Sequence, residues 1–341
     1  MQLIDCLRVL NKHVDVGFLK GRLPLLDYWR VPVAACLYNT SLEAVSGEGL
    51  PSADCVLGYV GSSSWEQTMQ QFKQALTDSV KLAKKQGWFN RPVLCAVDFH
   101  DDLYYGKHTY GVVGCYSKRG TNRCFRIATL DVCEAGRRFT LAAIPVFKGV
   151  SKESVVKELV KEARKHVKIK CLLLDREFYS INVFRRLDRL KLDYIVCAKK
   201  TGKLLRAVEY RTYVEYTLKN PEDEYTINLT VYRPDDKNLW AYATNLKCRP
   251  ETIAYVYKRR WGIETGYKSK NRYSANTTSR RYKVRLFLIL LAVVLFNLWV
   301  LANLVADSTT IRRLKPRAKY STKMTIFQFK QKFIMELADD G

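Results

Sequence analysis

Asp98 and Asp175 each stand directly after a continuous apolar run, Val93-Leu94-Cys95-Ala96-Val97 in one case and Cys171-Leu172-Leu173-Leu174 in the other. Runs of this kind suit central β-strands buried on both faces. If the two strands are parallel neighbours, both carboxylates emerge at one sheet edge, where α/β proteins bind ligands. Two convergent carboxylates repel each other unless a cation lies between them, and oxygen-only ligands select Mg²⁺ or Mn²⁺. With a third carboxylate, such a site holds two ions about 4 Å apart and stabilises both the attacking and leaving oxygens of phosphodiester cleavage. Taken singly, each aspartate reads first as a plain strand end.

A third acid stands in a segment predicted to be helical, Tyr257-Lys258-Arg259-Arg260-Trp261-Gly262-Ile263-Glu264. Tyr257, Arg260, Glu264 and Lys268 are spaced three, four and four residues apart, so one helical face would carry them all. That face combines phosphate contact with metal ligation; the alternative is a surface helix with an ordinary ion pair. Asp101 and Asp102, next to His100, are expected in a solvated loop, with a substitute ligand role as the alternative. Arg176 and Glu177 are expected near the site, orienting its ligands.

The elements that position these groups form an α/β pattern. Val93–Val97, Arg123–Cys133 and Arg138–Val146 read as strands, the last two joined through Glu134-Ala135-Gly136. A helix over Ser151–His166, a strand over Cys171–Leu174, a helix over Tyr179–Leu190 and a strand over Tyr194–Ala198 follow. Meandering strands followed by alternating units indicate a mixed sheet flanked by helices. The chain divides into a helical N-terminal region (1–90), the first part of the α/β core (91–202) and a β-rich insertion (203–247). The second part of the core (248–306) and a basic C-terminal tail (307–341) complete it. In the N-terminal region, short helices opening at Thr40 and at Pro51 suggest either a helix-turn-helix or a plain helical hairpin. A third helix runs from about Ser64 to Lys85, and Gly87–Pro92 forms a linker.

These features together resemble the DDE transposases of bacterial and archaeal insertion sequences, particularly the group with a Y-x2-R-x3-E-x6-K signature and a β insertion before the glutamate. Tyr257, Arg260 and Glu264 match that spacing; Asp98 in AVDFHDDLYYG and Asp175 in LLLDREFYS resemble the two aspartates. Gly120-Thr121-Asn122 and Ala243-Thr244-Asn245 are similar to the family as well, and the likeness spans about residues 91–305. The signature lysine would fall at Asn271, so Lys268 or Lys270 is left to supply its charge. The resemblance implies an RNase H-like catalytic core with Asp98, Asp175 and Glu264 as catalytic metal ligands for two Mg²⁺ ions, Mn²⁺ being possible. It also implies water attack at the element end, attack of the freed 3′-hydroxyl on target DNA, and a homodimer in a synaptic complex. In related enzymes a hairpin forms on the element end and a tryptophan holds a flipped base; Trp240 is either such a stacking residue or a packing residue of the insertion.

Composition agrees with a polyanionic partner: 58 Lys and Arg against 33 Asp and Glu give a net charge of +25, and phosphate neutralisation drives such binding. Clusters at Arg280, Arg281, Lys283 and Arg285 and at Arg312, Arg313, Lys315, Arg317 and Lys319 are expected to touch DNA backbone. None of the ten cysteines forms a CxxC pair, and the histidines are scattered, so the thiols read as reduced core residues of a cytosolic, nucleoid-associated protein, without a zinc site or disulfide framework. The N-terminus, with an acid at Asp5 and no long apolar core, is not expected to be a signal peptide. Leu286–Val305 is long enough to span a bilayer, yet a helix apolar all round is equally a buried core helix, and its place after the Glu264 segment favours packing on the sheet. Alternatives to the transposase reading are a metal-dependent nuclease of the same fold that cuts without joining, and an inactive DNA-binding derivative.

Overall fold

The computed structural model describes residues 9, 10, 12–15, 18, 22–47, 49–134, 137–235, 238–313 and 325–339, with the side chains of 118, 137, 263–265, 267, 268, 304–313 and 333–339 left aside. In chain order the elements are α1 (Leu25–Tyr38), α2 (Ala53–Ser62), α3 (Trp65–Lys85), β1 (Val93–Leu103), β2 (Val112–Lys118), β3 (Thr121–Glu134) and β4 (Arg137–Val146). There follow α4 (Lys152–Arg164), β5 (Ile169–Leu174), a 3₁₀ turn (Arg176–Phe178), α5 (Ile181–Arg189), β6 (Tyr194–Cys197) and α6 (Gly202–Val208). The remainder is β7 (Tyr213–Asn220), β8 (Asp223–Asp235), β9 (Asn238–Thr244), α7 (Pro250–Lys258), α8 (Trp261–Asn271), α9 (Tyr282–Arg313) and α10 (Ile326–Asp339). Two compact units result, one from residues 91–100 and 128–265, the other from 1–90, 101–127 and 266–341.

The first of these units is the expected mixed sheet with helices. β1, β5 and β6 are parallel neighbours, and β9 continues from β6 antiparallel, with β8 and β7 beyond it. The β-rich segment is therefore an extension of the same sheet. β3 adjoins β1 and also pairs with β4. Cys95, Ala96 and Val97 on β1 and Leu172, Leu173 and Leu174 on β5 are wholly buried, which explains why both strands read as unbroken apolar runs. α4 packs on β4, and α5 and α7 pack on β8. α4 begins where Ser151 accepts a bond from Ser154 N at 3.2 Å, has Glu153 in its first turn, and carries Lys161 and Arg164 in its last.

The other unit is largely helical. α9 packs along α3, α2 and α1, and α10 packs on α1. Phe287 of α9 meets Trp29 (centroids 5.8 Å apart), Phe72 (5.6 Å) and Phe18 (6.4 Å). The long apolar helix is thus a core helix, 89% of its most apolar stretch being buried. Its principal neighbours are the N-terminal helices, where sheet packing was expected; its first turn reaches a strand, with Tyr282 against Phe125 at 6.0 Å. Within it, Asn297 is fully buried and donates to Ser79 Oγ at 3.3 Å. Ser64 caps α3 by accepting from Gln67 N at 3.0 Å, as its sequence predicts. The helix expected at Thr40 is absent, since 40–46 form turns and an isolated bridge. The helix lies earlier, at α1, which holds Pro32 in its interior, a residue that reads as a breaker. In this unit β2 pairs antiparallel with the start of β3, and the end of β1 lies on the other side. β2 falls in the polar stretch 103–122, where its single alternating run was not legible as a strand.

Candidate catalytic site

Parallel pairing of β1 with β5 is in register at Val97 and Leu174; the next residues are Asp98, still within β1, and Asp175, the first residue beyond β5. The residues just after the last ladder pair are therefore both acids, near enough for Asp175 to act on the Asp98 carboxyl. Asp98 was expected at the end of its strand, but β1 continues past it to Leu103. Asp175 does leave β5 directly and caps the 3₁₀ turn, its Oδ1 accepting from Glu177 N at 2.8 Å. Asp98 Oδ1 accepts from Phe99 N at 2.9 Å. Phe99 and the fully buried Phe178 stack with centroids 4.9 Å apart, tying the backbone after one aspartate to the turn after the other.

Arg260 completes the described part of the cluster. Its Nη1 lies 3.6 Å from Asp98 Oδ2, and the side chains are only 11% and 18% exposed. A single helix through Tyr257, Arg260, Glu264 and Lys268 was expected, but the helix breaks between Lys258 and Trp261. Arg260 N donates to Tyr257 O at 2.8 Å and Gly262 N to Arg259 O at 2.9 Å, three-residue turns that interrupt the α-helical ladder. The four residues consequently share no unbroken helical face. Tyr257 is buried, its ring 4.9 Å from Tyr242 and its face beneath the Arg260 guanidinium at 5.8 Å. That makes it a support for Arg260. Glu264 and Lys268 fall on α8, and their side chains lie outside the described residues.

Burial pushes the Asp98 carboxyl up, Arg260 pulls it down, and the neighbouring Asp175 and Asp131 push it up again, to about 7. Asp131, on β3, was missed by the sequence reading. It is 5% exposed and accepts bonds from Thr129 (2.9 Å) and Thr140. Its signal was present as an acid inside the apolar run Ala128–Cys133, where an ionisable group needs partners.

The other expected contacts are spread more widely. Trp240 on β9 is 36% exposed, with Lys200 Nζ 5.1 Å above its ring. Arg280 and Arg281 are exposed, whereas Lys270 is 3% exposed with Nζ 5.5 Å over the Phe296 ring, a core position unsuited to phosphate contact. Arg176 is exposed, and Glu177 meets Lys152 at 3.4 Å. Asp101 and Asp102 are not in a loop: both belong to β1, paired with Arg126 (2.6 Å) and Arg285 (2.8 Å) respectively. The basic cluster from Arg312 to Lys319 lies outside the described side chains.

Two oxygen-donor groups brought together by strand register, with their like charges opposing each other in a half-buried setting, fit a hard divalent cation. No curated protein matches the chain. Among solved structures, the piggyBac transposase synaptic complex with hairpin DNA is similar over 99% of this chain and 80% of that one, with a TM-score of 0.69 and 11% identity. That likeness makes the architecture an RNase H-like DDE fold, as expected. The sequence profile of the family described as "Transposase DDE domain" matches residues 94–297, a span that holds Asp98, Asp175, Arg260 and Glu264 and exceeds half the chain. By that match the chain belongs to the DDE transposases, enzymes that cut DNA strands and transfer them.

Proposed function

We propose that Asp98 and Asp175, with Glu264 from α8 as the third carboxylate, hold the divalent metal of strand cleavage and strand transfer, Mg²⁺ in the first instance with Mn²⁺ as a substitute. The place of Asp98 and Asp175 directly after the paired Val97 and Leu174 of two parallel strands carries this reading. When bound, two metal ions supply Lewis-acid stabilisation of the attacking and leaving oxygens. The chain's own contribution is positional. Asp98 presents its oxygens from β1 and Asp175 from the cap of the turn after β5, and Arg260 holds Asp98 while offering guanidinium N–H groups to a phosphate. The Thr129 and Thr140 hydroxyls keep Asp131 bonded behind the cluster.

The substrate in this proposal is double-stranded DNA, first the terminal inverted repeats of an element and then its target. Arg280 and Arg281 meet the backbone. Trp240, 36% exposed with Lys200 over its ring, takes an unstacked base by stacking. Within the family we assign the chain to the Y-x2-R-x3-E-x6-K group of bacterial and archaeal insertion sequences, on Tyr257, Arg260 and Glu264. Asn271 replaces the signature lysine, and burial of Lys270 leaves Lys268 to provide its charge. Two copies acting on paired ends, on the nucleoid in the cytoplasm, complete the reading.

Incubating the chain with labelled element ends, target plasmid and Mg²⁺ tests it. Cleaved ends and joined products are expected from the wild type and neither from Asp98→Asn, Asp175→Asn or Glu264→Gln. Cleavage without joined products would support the nuclease reading. DNA binding with no cleavage in any divalent metal would overturn the assignment altogether.

A further inference from the structure

Three neighbouring strands of the mainly helical unit each present one metal-ligating side chain. Asp101 lies on β1, Cys124 on β3 and Cys115 on β2. Val113 stands directly opposite Cys124, and Cys115 lies just beyond, where the β2–β3 pairing shifts register after Gly114. One carboxylate oxygen and the two sulfurs all lie within 4.8 Å of one another. Cys124 is wholly buried, the Asp101 side chain is 11% exposed, and Cys115 is half-buried, which leaves a route in from solvent.

Arg126 sharpens the case. It follows Cys124 by two residues on β3 and so shares its face. Its Nε and Nη2 donate to the two oxygens of Asp101 at 2.6 and 3.0 Å. A carboxylate ligand in a metal site is ordinarily oriented by hydrogen bonds of this sort, and each oxygen keeps a lone pair for an ion. Charge also balances, for two thiolates, one carboxylate and one guanidinium around a divalent ion sum to zero.

We propose that Cys115, Cys124 and Asp101 bind a zinc ion, with Arg126 positioning Asp101 and a solvent molecule from the Cys115 side as fourth ligand. Thiolates favour Zn²⁺ over the hard ions suited to the Asp98–Asp175 pair. Tetrahedral bonds of about 2.0–2.3 Å require the three donors to draw slightly closer, which side-chain rotation accomplishes. Each thiol releases its proton to solvent as its Zn–S bond forms. The ion would staple three strands whose ligands are far apart in spacing motifs, which is why no CxxC pattern announces it.

The test uses the full-length chain, purified without chelator. Elemental analysis is expected to find one zinc per chain. Replacement by Co²⁺ is expected to produce a thiolate-to-cobalt charge-transfer band, and chelation to lower Tm. Cys115→Ser and Cys124→Ser should abolish the band, Cys248→Ser should keep it, and Arg126→Gln should weaken zinc binding about 10- to 100-fold. A wild-type chain that holds no zinc and shows no band with added Co²⁺ overturns the proposal, whatever the variants do. So does zinc retained undiminished in a folded Cys115→Ser chain, or a Cys115–Cys124 disulfide in metal-free protein.

Discussion

Phe99 and Phe178 lie nearly parallel, their planes 19° apart and their centroids separated by 4.9 Å. Each follows a proposed metal ligand, Phe99 directly after Asp98 and Phe178 at the end of the turn that Asp175 caps. The stack is apolar, and it ties the backbone beside one acid to the turn beside the other. Phe178→Ala is expected to destabilise the chain by about 3–5 kcal/mol, read from urea unfolding. Phe178→Leu should keep the fold but slow DNA cleavage at saturating Mg²⁺. An unchanged cleavage rate in Phe178→Leu would show that the stack only packs.

Arg260 touches Asp98 and is itself supported by the Tyr257 face. Replacing it by Ala should lower the cleavage rate by about 10²–10³-fold, the cost of losing one preorganised donor to developing charge. Lys in its place should recover little, because an ammonium cannot reproduce the planar fork. Rates of single-turnover nicking on a labelled element end measure both. Recovery of full activity by Lys would reduce Arg260 to a simple countercharge.

Asp78, on α3, accepts from His13 Nε2 at 2.6 Å and from Lys81 at 3.1 Å. Burial pushes its carboxyl up, but the bonds from His13 and Lys81 outweigh it and bring it to about 2, below the ordinary value of 3.8. A carboxyl depressed by folding contributes stability that is fully present above its unfolded value and lost as pH falls through the folded one. The wild type should therefore lose stability between about pH 4 and pH 2, and Asp78→Asn should lose less over that window. Thermal melts across the window decide the matter; parallel curves would leave Asp78 without a role in acid unfolding.

α9 is buried among α1, α2 and α3, with Phe287 at the centre of their aromatic contacts. The chain should be recovered after lysis without detergent, and Phe287→Ala should cost about 3–5 kcal/mol. Recovery only from the membrane pellet would mean that this helix leaves its partners.

Arg280 and Arg281 are exposed and basic. Each phosphate contact contributes about 0.9 to the slope of log K against log salt on duplex DNA. Arg280→Ala with Arg281→Ala should flatten that slope by up to about 2 while weakening binding to all sequences alike. An unaltered slope would remove both from the interface.

Local pattern alone determined much of this protein. Apolar runs ended by Asp98 and Asp175 announce buried strands, because a strand covered on both faces has no polar alternation, and Ser64 and Ser151 announce helix starts because their hydroxyls satisfy the first free N–H groups. The same locality hid the rest. Pro32 sits inside α1 because tertiary burial outweighs its propensity, and Tyr257 and Arg260 share no single helix because the turn at Arg259 redirects the chain. That β1 and β5 pair in parallel with Val97 opposite Leu174, and that Asp101, Cys115 and Cys124 converge from three strands, follows from sheet register. Register depends on which distant strands meet and at which residue, and no spacing within one segment encodes it.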